Sequence, residues 1–195
     1  MQGANHKICA LHLYTIKQSL TMTKPKIKNT IVAISEGLLG KAVFNSKINI
    51  SEVYSEYMLY EPIVLIANRN WRVQAEVPLE SLKSKGRGDN KKIDFVLTDL
   101  KNNDRSVAIE IKYIKGVKSK IKIDADIEKL LAFKTERSSK DTKAFLMILW
   151  KEHSNRDKHR TRISQIGTEG YFECSFETNL KQKYVVTVFE ICTKR

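Results

Sequence analysis

Two segments with two-residue alternation, residues 91–99 and 106–114, stand one short polar link apart, and this pairing constrains the fold more than anything else in the chain. In the first, Ile93, Phe95 and Leu97 share one face, and Asp94, Val96 and Thr98 share the other. In the second, Val107, Ile109, Ile111 and Tyr113 face one way, and Ala108, Glu110 and Lys112 the opposite way. Side chains on a strand alternate with a period of two, so these are half-buried strands. The link Lys101-Asn-Asn-Asp104 has hairpin-loop composition. A hairpin centred on Asn102 puts Asp94 directly opposite Glu110 on the same face. Opposed side chains in an antiparallel pair have Cβ atoms about 4.5–5.5 Å apart. Two carboxylates that close repel, and a divalent cation between them removes the penalty. Lys112 projects from the same face two residues on.

Such a patch suits phosphodiester hydrolysis. Carboxylate oxygens bind Mg²⁺ or Mn²⁺. The ion neutralises phosphate charge and lowers the pKa of a bound water, and an ammonium orients that water or stabilises charge developing on the phosphoryl oxygens. The plain alternative is a salt bridge of Lys112 with Asp94 or Glu110 on a solvated sheet face.

The surrounding pattern predicts a mixed α/β fold. Residues 52–69 read as a helix, with Asn49 and Glu52 resembling a capping box, Val53, Tyr57, Tyr60 and Val64 at helical spacing, and Pro62 expected to kink or split it. Residues 71–78 read as a strand with Trp71, Val73, Ala75 and Val77 on one side. Residues 124–137 read as a helix through Ile127, Leu130, Leu131 and Lys134. Residues 144–150 form a buried-type strand that returns parallel through a crossover, 151–162 a charged loop or solvated helix, and 184–192 a last strand. The sum is a mixed central sheet flanked by helices. Residues 1–45 read as a partly helical extension, with a short helix over 31–44 weakened by Gly37 and Gly40, and residues 46–195 as the functional domain.

Residues 88–97 and Val107-Ala-Ile-Glu-Ile-Lys112 resemble the PD-(D/E)xK nuclease superfamily, which includes many restriction endonucleases and repair nucleases; the likeness spans about residues 50–150. The resemblance implies a restriction-endonuclease-like αβββαβ core and a Mg²⁺- or Mn²⁺-dependent endo- or exonuclease. It also implies that Asp94, Glu110 and the backbone carbonyl of Ile111 hold the metal and that Lys112 is the catalytic lysine. Ile93 stands where the family's motif has Pro. Many members add an acid from the first helix; Glu56 is the preferred position here, Glu61 the rival and Glu52 a weaker one. Glu76 is a further candidate from the first strand. Lys129 resembles a position where some members place a polar or basic helper.

Charge points to the same class of partner. Lys and Arg total 35 against 22 Asp and Glu, a net charge of +13. Such a surplus repels itself unless a polyanion shares it, and nucleic acid, DNA foremost, gains by counterion release. Lys85, Arg87, Lys91, Lys92, Lys115, Lys118, Lys129 and Arg160 are the expected nucleic-acid contacts. The rivals are a nucleic-acid-binding module of the same fold without catalysis and a basic protein-interaction domain. His153 and His159, six residues apart, do not stack on one helical face as ligands four apart would. Cys9, Cys174 and Cys192 match no zinc or redox spacing and suit a reducing cytoplasm. No apolar run reaches the length of a membrane span, so no membrane partner is expected. A short chain with no evident reader domain is expected to dimerise or to use a targeting partner, in restriction, phage defence, mobile-element or repair roles.

Overall fold

The structure is a computed structural model that describes residues 25–47, 56–82, 91–114, 123–151, 156–177 and 183–192. Its centre is a six-stranded mixed sheet, flanked by helices as expected. The elements are α1 (Pro25–Lys47), a 3-10 turn (Glu56–Leu59), α2 (Tyr60–Ala67), β1 (Trp71–Pro78), β2 (Lys92–Asp99) and β3 (Asn102–Ile114). They continue with α3 (Ile123–Glu136), β4 (Lys143–Lys151), α4 (Arg156–Gly167), β5 (Thr168–Glu177) and β6 (Lys183–Ile191). The strand order is β1-β2-β3-β4-β6-β5, antiparallel throughout except for the parallel β3–β4 pair that α3 connects.

Two apolar layers cover the sheet. One gathers α1 and α2 over Phe95, Leu97, Val107, Ile109, Ile111, Phe145 and Met147. The other gathers α3 and Ile163 of α4 over Val96, Ala108, Leu146, Ile148 and Trp150. Strands β3 and β4 are thus buried on both faces. That explains why 144–150 reads as a continuous apolar run rather than an alternation.

Helix α1 corrects the expected extension. It runs past the boundary drawn at residue 45, and Ile27, Ile31, Ile34, Leu38 and Ala42 of its apolar stripe are buried in the first layer. Gly37 and Gly40 obscured this stripe, and they are not equivalent. A Cβ on Gly37 would meet Ile66 Cδ1 at 2.5 Å and Pro62 Cβ at 3.3 Å, so Gly37 is where α1 and α2 approach closely. A Cβ on Gly40 would meet nothing within 4 Å. Gly40→Ala should therefore raise unfolding free energy by about 0.5–1 kcal/mol through helix propensity alone. Gly37→Leu should lower it by about 1–3 kcal/mol by overpacking. Urea titration of the two variants reads both signs; equal shifts would mean the helices are not in contact there.

Pro62 does not kink a long helix. It lies in the first turn of α2, where its missing N–H has no intrahelical role to lose, and the 3-10 turn precedes it.

The end of the β2–β3 hairpin is pinned by a buried acid. Asp99 accepts from Lys26 of α1 at 2.5 Å, Arg105 at 2.7 Å and the Lys101 amide at 2.9 Å. Burial works to raise its pKa, but these bonds and charges prevail and hold it below the usual carboxylate range. Lys26 also lies 5.0 Å from the Trp71 ring centre, and Trp71 Nε1 donates to Thr30 Oγ1 at 2.9 Å. The turn is correspondingly tight: β3 begins at Asn102, inside the expected loop, and the register slips at Thr98/Asp99.

Candidate metal and phosphodiester site

The hairpin register pairs Phe95 with Ile109 and Thr98 with Ser106, the alignment that aims Asp94 at Glu110. The backbone pairing stops at Phe95–Ile109, and beyond it two carboxylates take over. Asp94 Oδ2 accepts from the Ile111 amide at 2.8 Å, and Glu110 Oε1 accepts from the Asp94 amide at 3.3 Å. Each acid thus bonds to the backbone of the opposite strand. Their placement is fixed by sheet geometry rather than by side-chain rotamers alone.

Asp94 also sits where the sheet turns over. Phe95 packs in the layer under α1 and α2, whereas Ile93 packs in the layer under α3. Across the ladder, Val73 joins the first layer and Val77 the second. The expected common face of Ile93, Phe95 and Leu97 is therefore broken, as is that of Val73 and Val77. Between Val73 and Val77 lies Glu76, which has φ 53°, the left-handed region that a non-glycine residue rarely adopts. It falls between the pairs Ala75–Phe95 and Val77–Ile93, level with Asp94.

Four further side chains close around the acids. Tyr60 of α2 has its hydroxyl 2.8 Å from Glu76 Oε1 and 3.2 Å from Asp94 Oδ1. Lys129 of α3 donates to Glu110 Oε2 at 2.6 Å and lies 3.1 Å from Asp126 Oδ1. Lys112 lies 3.2 Å from Asp126 Oδ2. Lys112 thus pairs with Asp126 on α3, and its charge also acts on Asp94 of β2. Glu110 is fully buried and Asp126 nearly so.

Electrostatics are set by that burial. Desolvation, then the Asp94 charge, push the Glu110 carboxyl up to about 9 against the pull of Lys129, and Asp126 adds to the rise. Burial also raises Asp94, although the Ile111 amide, Lys129, Lys112 and Tyr60 oppose it. Lys129 is pushed down by burial and up more strongly by Glu110 and Asp126, so it remains charged.

The donor set suits a hard divalent cation. Asp94 and Glu110 offer oxygen ligands, and their burial makes negative charge costly unless a cation shares it. Among the described residues no group of three or more His, Cys, Asp and Glu side chains is arranged as a metal cluster. Two carboxylates suit an ion that keeps several waters, as Mg²⁺ does.

The other expected site residues divide into three groups. Glu61 is exposed and paired with Lys41 of α1. Glu56 opens the 3-10 turn, and its side chain lies outside the described residues. Lys85, Arg87, Lys115 and Lys118 also lie outside them, as do Glu52, Cys9, His153 and the side chain of Cys174. Lys91 and Lys92 are both exposed, and Lys91 pairs with Glu128 at 2.7 Å. Two expected phosphate contacts, Lys129 and Arg160, face acids of the chain itself. Lys129 is turned inward onto Glu110 and Asp126. Arg160 is engaged by Asp157 at 2.9 Å and Glu173 at 3.4 Å, which seats α4 on β5. His159 stacks on Trp150, with ring centres 6.0 Å apart, a packing role.

Among the described residues no helix is long and apolar enough to cross a membrane. Compared with known proteins, the chain matches no family model, no curated protein and no solved structure.

Proposed function

We propose that this chain is a metal-dependent nuclease of the PD-(D/E)xK type that hydrolyses phosphodiester bonds in DNA. The observation that carries the reading is the reciprocal clasp of Asp94 and Glu110 across β2 and β3, ringed by Lys112 and Lys129. The sequence α2-β1-β2-β3-α3-β4, with β4 parallel to β3, supports it by giving the elements in the order the resemblance implies. The surplus of 35 basic over 22 acidic residues supports a polyanionic substrate.

Asp94, Glu110 and the Ile111 carbonyl would hold a Mg²⁺ or Mn²⁺, which supplies charge neutralisation at the phosphate and a more acidic bound water. Asp94 and Glu110 present their oxygens already aligned, because each is tied to the opposite strand. Lys112 keeps part of its side chain exposed beside Asp126, which places an ammonium within the patch to meet charge developing on the phosphate. Lys129 compensates the buried charge of Glu110 and Asp126 and so keeps the patch intact.

A second reading, a nucleic-acid-binding module without catalysis, is favoured by one observation: the Lys129 ammonium already sits on a Glu110 oxygen that the metal would need. The two readings part in one pair of measurements. Supercoiled plasmid, single-stranded DNA and RNA are incubated in Mg²⁺, Mn²⁺ or chelator. Binding is followed in Ca²⁺ against salt. We expect divalent-dependent cleavage of DNA, and affinity that falls with a log–log slope of about −0.9 per phosphate neutralised on duplex. Steep binding with no cleavage of any substrate selects the binding module, and flat salt dependence removes nucleic acid as the partner.

A further inference from the structure

We propose that Tyr60 and Glu76 form a positioning pair that fixes the orientation of the Asp94 carboxylate for metal binding, an inference that rests on the metal site proposed above. The geometry determines both Asp94 oxygens from different directions. Oδ2 is set by the Ile111 amide of β3 at 2.8 Å, and Oδ1 faces the Tyr60 hydroxyl of α2 at 3.2 Å. A carboxylate held at both oxygens has lost its rotational freedom before a cation arrives, and that ordering cost is then absent from binding.

A tyrosine hydroxyl carries one hydrogen, yet this one has two acid partners. The shorter contact is to Glu76 Oε1 at 2.8 Å. Glu76 therefore offers the hydrogen an alternative acceptor. Glu76 keeps the hydroxyl in place beside Asp94, and rotation about the phenol C–O bond alone turns the hydrogen from one carboxylate to the other. The ring itself is wedged edge-on against Phe95, with centres 4.5 Å apart, and against Tyr57 at 5.4 Å.

Glu76 makes this contact from a left-handed backbone, φ 53°. That conformation costs free energy in any residue with a Cβ, and it persists only where the surroundings over-determine it. Glycine would hold it at lower cost. The chain instead has glutamate there, at the level where the sheet turns over and opposite Asp94. A strained residue whose side chain reaches the hydrogen-bond partner of a site carboxylate is accounted for by that side chain, not by the turn.

The test uses the full chain and Mn²⁺ alone, with free Mn²⁺ read by electron paramagnetic resonance and stability by thermal melting. Tyr60→Phe keeps the ring and removes the hydrogen. Glu76→Gly removes the acceptor and relieves the backbone. Each should weaken Mn²⁺ binding by about 10-fold or more, the scale for losing a group that orients a metal ligand. Glu76→Gly should melt no lower than the parent, a dissociation that a purely structural role would not produce. Glu76→Gln retains an acceptor oxygen and should bind Mn²⁺ much as the parent does. Parent-like binding by Tyr60→Phe overturns the pair, and so does a loss in Glu76→Gln as deep as in Glu76→Gly, which would make Glu76 a direct ligand. Asp94→Asn is the control for the underlying site. If it binds Mn²⁺ like the parent, the proposed metal site fails; if it loses binding while Tyr60→Phe does not, the positioning pair alone fails.

Discussion

On the proposed nuclease reading, Glu110→Gln and Asp94→Asn should each cut divalent-dependent cleavage by at least about 10²–10³-fold, the scale for removing one preorganised electrostatic group, while both variants remain folded. For Glu110→Gln the expectation extends to stability, with a sign set by pH. In the unfolded chain the Glu110 carboxyl titrates near its ordinary value of 4.5, and in the folded protein burial, Asp94 and Asp126 raise it to about 9 against Lys129. Between those values the folded state binds the extra proton, so this group's contribution to stability falls as pH rises through the window. Glutamine mimics the protonated acid and cannot lose that proton. The melting-temperature difference between Glu110→Gln and the parent should therefore widen in favour of the variant from pH 5 toward pH 9 in chelator. Metal binding requires the proton to leave, so parent affinity for Mn²⁺ should climb over the same range. A Glu110→Gln protein that melts below the parent throughout, or that cleaves like it, would show that Glu110 is an ordinary structural acid.

That carboxylate pair was legible because a strand hairpin turns sequence spacing into spatial register. Alternation located both strands, and the pairing of Phe95 with Ile109 carries the alignment that aims Asp94 at Glu110. The break in the ladder beside Phe95 was not legible. There the strands part, the acids replace the backbone pairing, and the sheet turns over at a left-handed Glu76, a conformation that no residue type there announces. Tyr60 was read as one more apolar position on a helical stripe, because its hydroxyl's partners come from β1 and β2, distant in sequence. Asp126 did leave a signal. Ile123, Asp126, Ile127 and Leu130 occupy one helical stripe, all buried, and an acid inside an apolar stripe needs a cationic partner. Arg160 and Lys129 show the limit of reading charge clusters. Composition locates cations, but whether each faces solvent or an internal acid depends on what the fold brings opposite it.

The two lysines of the patch should separate chemistry from stability. Lys129 sits on fully buried Glu110 and nearly buried Asp126, and is itself largely buried. Above about pH 9, where Glu110 is ionised, Lys129→Met removes its ammonium and should cost about 3–5 kcal/mol, the scale for breaking a buried pair from one side. Adding Glu110→Gln should recover most of that loss, because the acid left without its ammonium is gone. Lys112 is more exposed, and its removal leaves Asp126 with Lys129. Lys112→Ala should therefore melt near the parent and bind DNA and Mn²⁺ nearly as tightly. It should nonetheless cut single-turnover cleavage by about 10²-fold, since its charge acts on negative charge that develops in the transition state. Lys112→Arg should rescue poorly, because a planar fork does not replace a compact ammonium held beside Asp126. The comparison sets cleavage per bound complex in Mg²⁺ against equilibrium binding in Ca²⁺. Lost binding with unchanged cleavage per complex would make Lys112 a phosphate contact. A Lys112→Ala protein as unstable as Lys129→Met would make it a second internal counterion, and in either case the nuclease reading would be without its central cation.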